Sequence, residues 1–153
     1  MNKAAVDYIV QFLLGEQNAG LSRHVRYGRS SAGCEMERGV FIKVSGFFDA
    51  GVFMTDASMP RLPLAELDGV PILFGEGTIS READVLTVDA DLIAGSFFLL
   101  SRYEEVLTPH ARDKHGRFLG RDSLPYRAGF LHRPLVDEYG RLLRGWLRAL
   151  GLP

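Results

Sequence analysis

The sequence has little cysteine, almost no net charge and no long apolar run, and each shortage excludes a class of protein. The single cysteine, Cys34, cannot form an internal disulfide framework or a thiolate zinc site. The 18 basic and 19 acidic residues give a formal net charge of -1, so no overall field attracts nucleic acid. No apolar stretch reaches the ~18 residues of a membrane span. We therefore expect a cytoplasmic protein with no nucleic-acid partner and no membrane span.

The composition is typical of one folded domain. Of the 153 residues, 46% are hydrophobic and 24% are charged, which suits a single domain with a substantial core. The first apolar stretch resembles a signal peptide, but Asp7 and Gln11 interrupt it and no small-residue cleavage site follows. Its apolar residues instead have helical spacing, which predicts an amphipathic helix ending at Gly15; they are Val6, Ile9, Val10, Leu13 and Leu14.

Several short segments have the character of β-strands. The apolar, β-branched segment 40–44 lies between glycines and predicts a strand. Segments 47–48 and 52–54 fit either a bulged strand or a hairpin, while the prolines in 59–64 predict an extended surface connection. Further strands are expected near 24–27, 70–75 and 85–88. The sequence thus predicts an α/β fold, with a mixed β-sheet of about four to six strands flanked by helices in a single domain.

Two helices are predicted in the second half. The stronger one, capped by Asp89 or Asp91, runs to about Glu105 and is apolar on most sides, so it should be buried. The last helix opens at Pro134 and has one apolar face. Its glycines, Gly140 and Gly145, weaken it by about 1 kcal/mol each relative to alanine, and they suit close packing against another element. The polar segment 108–129 between the two helices is predicted to be a loop.

The polar end of the buried helix and the following loop form a candidate polar pocket. Arg102 can bind an anion through its planar guanidinium, and Glu104 or Glu105 can act as an acid or base. Asp113 and Arg117 in the loop would complete the pocket. In the alternative interpretation, Arg102 pairs with a carboxylate and the glutamates are solvated. The two adjacent glutamates point in different directions on a helix, so their spacing does not make them a catalytic pair.

The other chemical patterns are incomplete. His110 and His115 do not share a helix face, and no pattern of a third metal ligand lies nearby in the sequence. The segment that contains them is therefore predicted to be a surface loop with Gly116 in a turn. Ser96, Ser101 and Ser123 lack the flanking glycines of a nucleophile elbow, so a serine hydrolase is not supported. We therefore predict no metal site and no cofactor, and the sequence contains no complete catalytic motif.

Four stretches together resemble the N-terminal domain, of unassigned function, that precedes the catalytic domain in bacterial polysaccharide deacetylase-like proteins. The resemblance covers about residues 70–147. The first stretch is PILFG at 71–75, and the second is SFFLLSRYEE at 96–105, together with Asp91. The third is DKHGRF at 113–118, together with Ser123, and the fourth is PLVDEY at 134–139.

The catalytic signature of those deacetylases is absent from this sequence. Their metal site, by resemblance, needs an aspartate and two histidines, but Asp89 and Asp91 are one position too far apart and His110 and His115 have the wrong spacing. The resemblance therefore implies a non-catalytic accessory domain, residues 1–153, whose partners are a C-terminal or separate deacetylase-like catalytic domain and a glycan. Two alternatives remain: an enzyme that acts on a sugar or anionic substrate through the polar pocket, and an interaction module that forms a homodimer through the last helix.

Overall fold

The computed structural model describes residues 2–152 as one mixed α/β domain, which confirms the predicted fold class. It contains a four-stranded sheet, a two-stranded sheet and helices packed around them. The strands are β1 (Val25–Gly28), β2 (Gly39–Lys43), β3 (Ala65–Leu67), β4 (Val70–Ile72), β5 (Thr78–Glu82) and β6 (Val85–Asp89). The α-helices are α1 (Lys3–Leu14), α2 (Leu92–Leu100), α3 (Tyr103–Leu107), α4 (Leu124–Arg127) and α5 (Leu135–Ala149), and 3₁₀ turns cover Glu16–His24, Asp56–Ser58 and Gly120–Asp122.

The main sheet has the order β1-β2-β6-β5, and β1, β2 and β6 are parallel while β5 is antiparallel to β6. Val40 of the central strand β2 is opposite Val25 on one side and Leu86 on the other. Four of the five residues of β2 are buried, as expected for a parallel strand covered on both faces. The carboxyl ends of β1, β2 and β6 consequently meet at one edge of the sheet, which we call the carboxyl edge.

The first and last helices pack against each other. The buried face of α1 includes Leu13 and Leu14, as the helical spacing predicts. In α5, Gly140 lies against the Leu13 carbonyl oxygen, and an added Cβ would approach that oxygen to 2.8 Å. The Arg144 guanidinium donates to the same carbonyl. Close packing is thus confirmed at Gly140, whereas a Cβ at Gly145 would meet nothing within 4 Å.

The strand or hairpin predicted across 47–54 is wrong. This segment forms consecutive turns, in which the Asp49 carbonyl accepts hydrogen bonds from the Val52 and Phe53 amides. Phe47 is buried because it packs with Phe53 and with the helix residue Phe97, at ring-centroid distances of 5.7 and 6.1 Å. Aromatic packing therefore explains the apolar character that suggested a strand.

Strands β3 and β5 were not expected from the sequence. All five residues of β5 are exposed, and its mixed composition lacks the alternation that marks a half-buried strand. The predicted strand at 70–75 is shorter than expected, since β4 ends at Ile72 and the chain then bends.

The helix predicted to run continuously to Glu105 is broken. The Ser101 hydroxyl donates back to the Phe97 carbonyl at 2.6 Å, and Arg102 adopts a left-handed backbone with φ of 53°. A serine that bonds back to its own helix bends the helix, and a left-handed residue ends it. At the start of α2, Asp91 rather than Asp89 forms the cap, since its side chain accepts from the Ala94 amide at 2.8 Å.

Candidate functional site

A cleft of about 750 Å³ lies at the carboxyl edge of the main sheet. Its walls are the end of β2 with the turn after it, the proline-bounded segment 60–63, the bend after β4 and the end of β6. We call it the carboxyl-edge cleft. Ligands of open α/β sheets bind outside the carboxyl ends of parallel strands, because the loops that follow these strands surround one space.

Charged side chains of both signs line the carboxyl-edge cleft. The Lys43 ammonium donates to Asp89 Oδ2 at 3.0 Å, and Asp89 Oδ1 accepts from the Glu76 amide at 3.1 Å. Arg61 lies exposed in the segment between two prolines. Within residues 2–152, neither Arg61 nor Glu76 forms a salt bridge. Both side chains therefore keep their hydrogen-bonding capacity for another molecule.

A buried carboxylate supports the wall of this cleft. Asp91 is only 1% exposed, and its Oδ2 accepts from the Tyr27 hydroxyl at 2.9 Å and from the Ser45 amide and hydroxyl at 2.9 and 2.7 Å. Burial raises the pKa of the Asp91 carboxyl, while hydrogen bonds from Ala94, Ser45 and Tyr27 oppose that rise. Because Ser45 also lines the cleft, this network holds its wall to strands β1 and β6.

The Tyr27 hydroxyl makes the fold sensitive to alkaline pH. Burial, reinforced by the Asp91 carboxylate, raises the pKa of Tyr27 above its usual value of 10.0. The folded state thus keeps a proton that the unfolded chain releases, so this stabilising contribution is present below pH 10 and is lost as pH rises further. We expect Tyr27→Phe to remove a decline that begins near pH 10 and steepens to about 1.4 kcal/mol per pH unit by about pH 11.5.

Chemical denaturation of wild type and variant across this pH range measures that decline. Tyr8→Phe is the matched control, because the Tyr8 side chain is 65% exposed. Equal slopes of unfolding free energy against pH for wild type and Tyr27→Phe would contradict the assignment.

A second surface is exposed and apolar. Four large side chains, Phe12, Leu100, Tyr126 and Leu131, are 47%, 47%, 56% and 55% exposed. Two shallow clefts of about 360 and 500 Å³ lie here and share Leu131 as a lining residue. We call this surface the apolar face and define it by Phe12, Leu99, Leu100, Tyr126, Leu131 and Val136. A cluster of exposed large apolar side chains is a candidate interaction surface.

Four of the five residues of the predicted polar pocket form two local ion pairs. Arg102 donates to both carboxylate oxygens of Glu105, at 2.9 and 2.7 Å. Asp113 pairs with the Arg117 side chain and accepts from its amide, and backbone hydrogen bonding from Arg117 lowers the pKa of Asp113. Arg102 is therefore paired with a carboxylate, as the alternative interpretation predicted.

Glu104 has a different environment from its neighbour Glu105. It is buried, and its carboxylate accepts from the Leu124 amide at 2.7 Å and from the Arg127 guanidinium at 3.0 Å. Glu104 thus joins α3 to α4 inside the protein. None of the five predicted residues lines the carboxyl-edge cleft or the apolar face, and a common pocket formed by them stays a prediction.

Sequence reasoning missed Lys43, Arg61 and Asp89 as members of a common cleft. A signal was present, because Lys43 lies near the end of the predicted strand 40–44 and Asp89 directly follows the predicted strand 85–88. Parallel pairing of these strands would have brought the two residues to one edge. No group of three metal-ligating side chains is found in the part of the chain that the structure describes. In the same part, no helix has the length and apolar character that crossing a membrane requires.

The fold and these two surfaces define a mixed α/β domain with a polar cleft and an apolar face. The chain belongs to DUF7033, a family of unknown function, whose model matches residues 2–151. Neither the curated proteins nor the solved structures provide a match to this chain. The family assignment therefore covers nearly the whole chain, including the first third, which lies outside the resemblance to deacetylase-like proteins. That resemblance contributes only to the proposal below.

Proposed function

We propose that this chain is a non-catalytic accessory domain that packs, through its apolar face, against the catalytic domain of a polysaccharide deacetylase-like protein. Its role would lie in the modification or biosynthesis of surface polysaccharide. The observation that carries the proposal is the apolar face itself, where four large side chains are each about half exposed. Burying such side chains against a partner is favourable by about 25 cal/mol for each Å² removed from water.

The choice of partner rests on which residues build the apolar face. Leu99 and Leu100 belong to the stretch 96–105, and Val136 belongs to the stretch 134–139. Both stretches carry the resemblance to the domain that precedes a deacetylase-like catalytic domain. The two stretches therefore supply three of the six residues that define the apolar face, although Leu100 alone among them is one of its four large exposed side chains. This overlap between the resemblance and the apolar face favours that catalytic domain as the occupant.

Two tyrosine hydroxyls of these stretches serve the fold, which also favours an accessory role. The Tyr103 hydroxyl lies 2.6 Å from the Met54 amide, which donates to it, and 2.7 Å from the Ser58 hydroxyl. The Tyr139 hydroxyl donates to the Pro71 carbonyl at 2.8 Å. Groups that are occupied inside the fold are not free to act on a substrate.

Titration calorimetry of the whole chain with a separately produced catalytic domain tests the proposal. The catalytic domain would come from a polysaccharide deacetylase-like protein of the same organism. We expect saturable binding by the wild type and at least about 30-fold weaker binding by Leu131→Asp, because a carboxylate at a desolvated apolar interface costs about 2 kcal/mol or more. Leu131 is exposed, so the variant should fold normally.

Ile79→Asp on β5 is the matched control, since it places the same charge at an exposed apolar residue outside the apolar face. Absence of wild-type binding, or an equal loss in both variants, would overturn the proposal. Light scattering on the isolated chain measures its oligomeric state and so tests the homodimer alternative. A dimer that Leu131→Asp dissociates would assign the apolar face to a second copy of the chain instead.

A further inference from the structure

We propose that the carboxyl-edge cleft binds an uncharged sugar residue of a glycan. This inference goes beyond the proposed docking function, because the isolated chain would bind the sugar without any partner domain. The cleft lies at the carboxyl ends of the parallel strands β2 and β6, on the side of the sheet where open α/β sheets bind their ligands. Its volume of about 750 Å³ is sufficient for a ligand of one or two sugar rings.

The balance of charges in the cleft favours an uncharged ligand. Two cations, Lys43 and Arg61, and three carboxylates, Asp49, Glu76 and Asp89, line it. Asp89 is paired with Lys43, and Asp49 is paired with Arg29, so these charges largely offset each other. Within residues 2–152 the two charged lining residues without a salt bridge, Arg61 and Glu76, have opposite signs. A ligand rich in hydroxyl groups satisfies both kinds of partner, since each hydroxyl donates one hydrogen bond and accepts others.

The polar groups in the cleft also have hydrogen-bonding capacity left. The Lys43 ammonium has three donors, and its ion pair with Asp89 uses one of them. Each oxygen of Asp89 accepts one hydrogen bond within the protein and can accept another. The pair thus presents a donor beside an acceptor, which is the pattern that two adjacent hydroxyls on a sugar ring require. Arg61 adds a planar set of donors to the same cleft.

Apolar groups complete the cleft. Phe74 is partly exposed at the cleft wall, and its ring packs on the buried ring of Phe47 at a centroid distance of 4.9 Å. Packing against Phe47 holds the Phe74 ring in place, so it offers a fixed apolar surface to the C–H face of a sugar. A mainly polar wall with one partly exposed aromatic ring, Phe74, held against a buried one, Phe47, suits a sugar better than it suits an apolar ligand.

The sugar site and the apolar face lie at opposite ends of one helix. Helix α2 begins after Asp91 at the carboxyl edge and ends at Leu100 on the apolar face, nine residues or about 13 Å later. A partner on the apolar face would leave the cleft open. The two functions can therefore be tested with separate variants.

Amide NMR spectra of the isolated chain, recorded during titration with tetrasaccharides, test the sugar proposal. The neutral probes are tetrasaccharides of glucose, of N-acetylglucosamine and of mannose, and the charged probes are tetragalacturonate and inorganic phosphate. We expect at least one neutral probe to shift the amide signals of Ser45, Gly46, Gly75 and Glu76 in a saturable way. Arg61→Ala and Asp89→Asn should each weaken that binding about tenfold, since each removes a charged hydrogen-bonding group.

Asp84→Asn is the matched control, because Asp84 precedes β6 and lies at the opposite end of this strand from Asp89. Arg61 is exposed and forms no salt bridge within residues 2–152, so its alanine variant tests the cleft without risk to folding. The proposal is overturned if no neutral probe shifts the cleft signals, if a charged probe binds more tightly, or if Arg61→Ala binds as wild type does. The docking experiment is unaffected by any of these results, because it concerns the apolar face.

Discussion

Replacement of Asp91 by alanine is expected to lower the free energy of unfolding by about 4 kcal/mol. The carboxylate accepts four hydrogen bonds, from Tyr27, from the amide and hydroxyl of Ser45 and from the Ala94 amide. An unsatisfied buried donor costs about 1–3 kcal/mol, and loss of a helix cap costs about 1 kcal/mol. Some of these donors can bind water instead when the cleft wall shifts in the variant. The expected loss of unfolding free energy is therefore smaller than the sum of the separate costs.

Denaturant unfolding followed by circular dichroism measures this loss. Asp89→Ala is the control, because Asp89 is more exposed and its ion pair with Lys43 lies at the surface. Surface pairs contribute about 0–1 kcal/mol, so the control should be only slightly destabilised. If Asp91→Ala and Asp89→Ala lost similar stability, the Asp91 network would not support the fold as described.

Glu104→Ala is expected to lower the free energy of unfolding by about 3 kcal/mol. The substitution leaves the buried Leu124 amide without its acceptor and removes the carboxylate that pairs with Arg127. Removal of one partner of a buried pair typically costs 3–5 kcal/mol. The lower end applies here, because the Arg127 side chain is 45% exposed and can recover water.

The neighbouring residue provides a sharp comparison. Glu105→Ala removes an exposed pair with Arg102, whose side chain is 74% exposed, and should cost less than about 1 kcal/mol. A large loss for Glu104→Ala and a small one for Glu105→Ala would establish that Glu104 is structural. Equal losses would contradict the inward orientation of Glu104.

Local patterns in the sequence were enough to predict much of the fold. Helical spacing predicted α1, and β-branched runs between glycines or polar residues predicted β2 and β6. These signals are local, because they depend on residues that are close in the chain. The helix break at Arg102 could not be predicted, because the preceding apolar run favours a helix and a left-handed arginine has no sequence signature.

The carboxyl-edge cleft could not be predicted from local sequence patterns, because contacts between residues far apart in the chain form its wall. Tyr27 and Asp91 are 64 residues apart, and Ser45 and Asp91 are 46 apart. No local pattern places these three side chains together; only the parallel order of β1, β2 and β6 does so. The predicted polar pocket, by contrast, used residues that are close in the chain, and the structure shows such residues forming local ion pairs.

The parallel pairing of β2 also determines when the sheet can form. Val40 needs Leu86 as its partner, and the whole segment containing β3, β4 and β5 separates them. During synthesis, one edge of the apolar strand β2 therefore stays unpaired until β6 has been synthesised. Unpaired apolar strands aggregate, and distant pairings form slowly because a long loop must close first. We expect chaperone dependence during biosynthesis to be concentrated in the interval between the emergence of β2 and the emergence of β6.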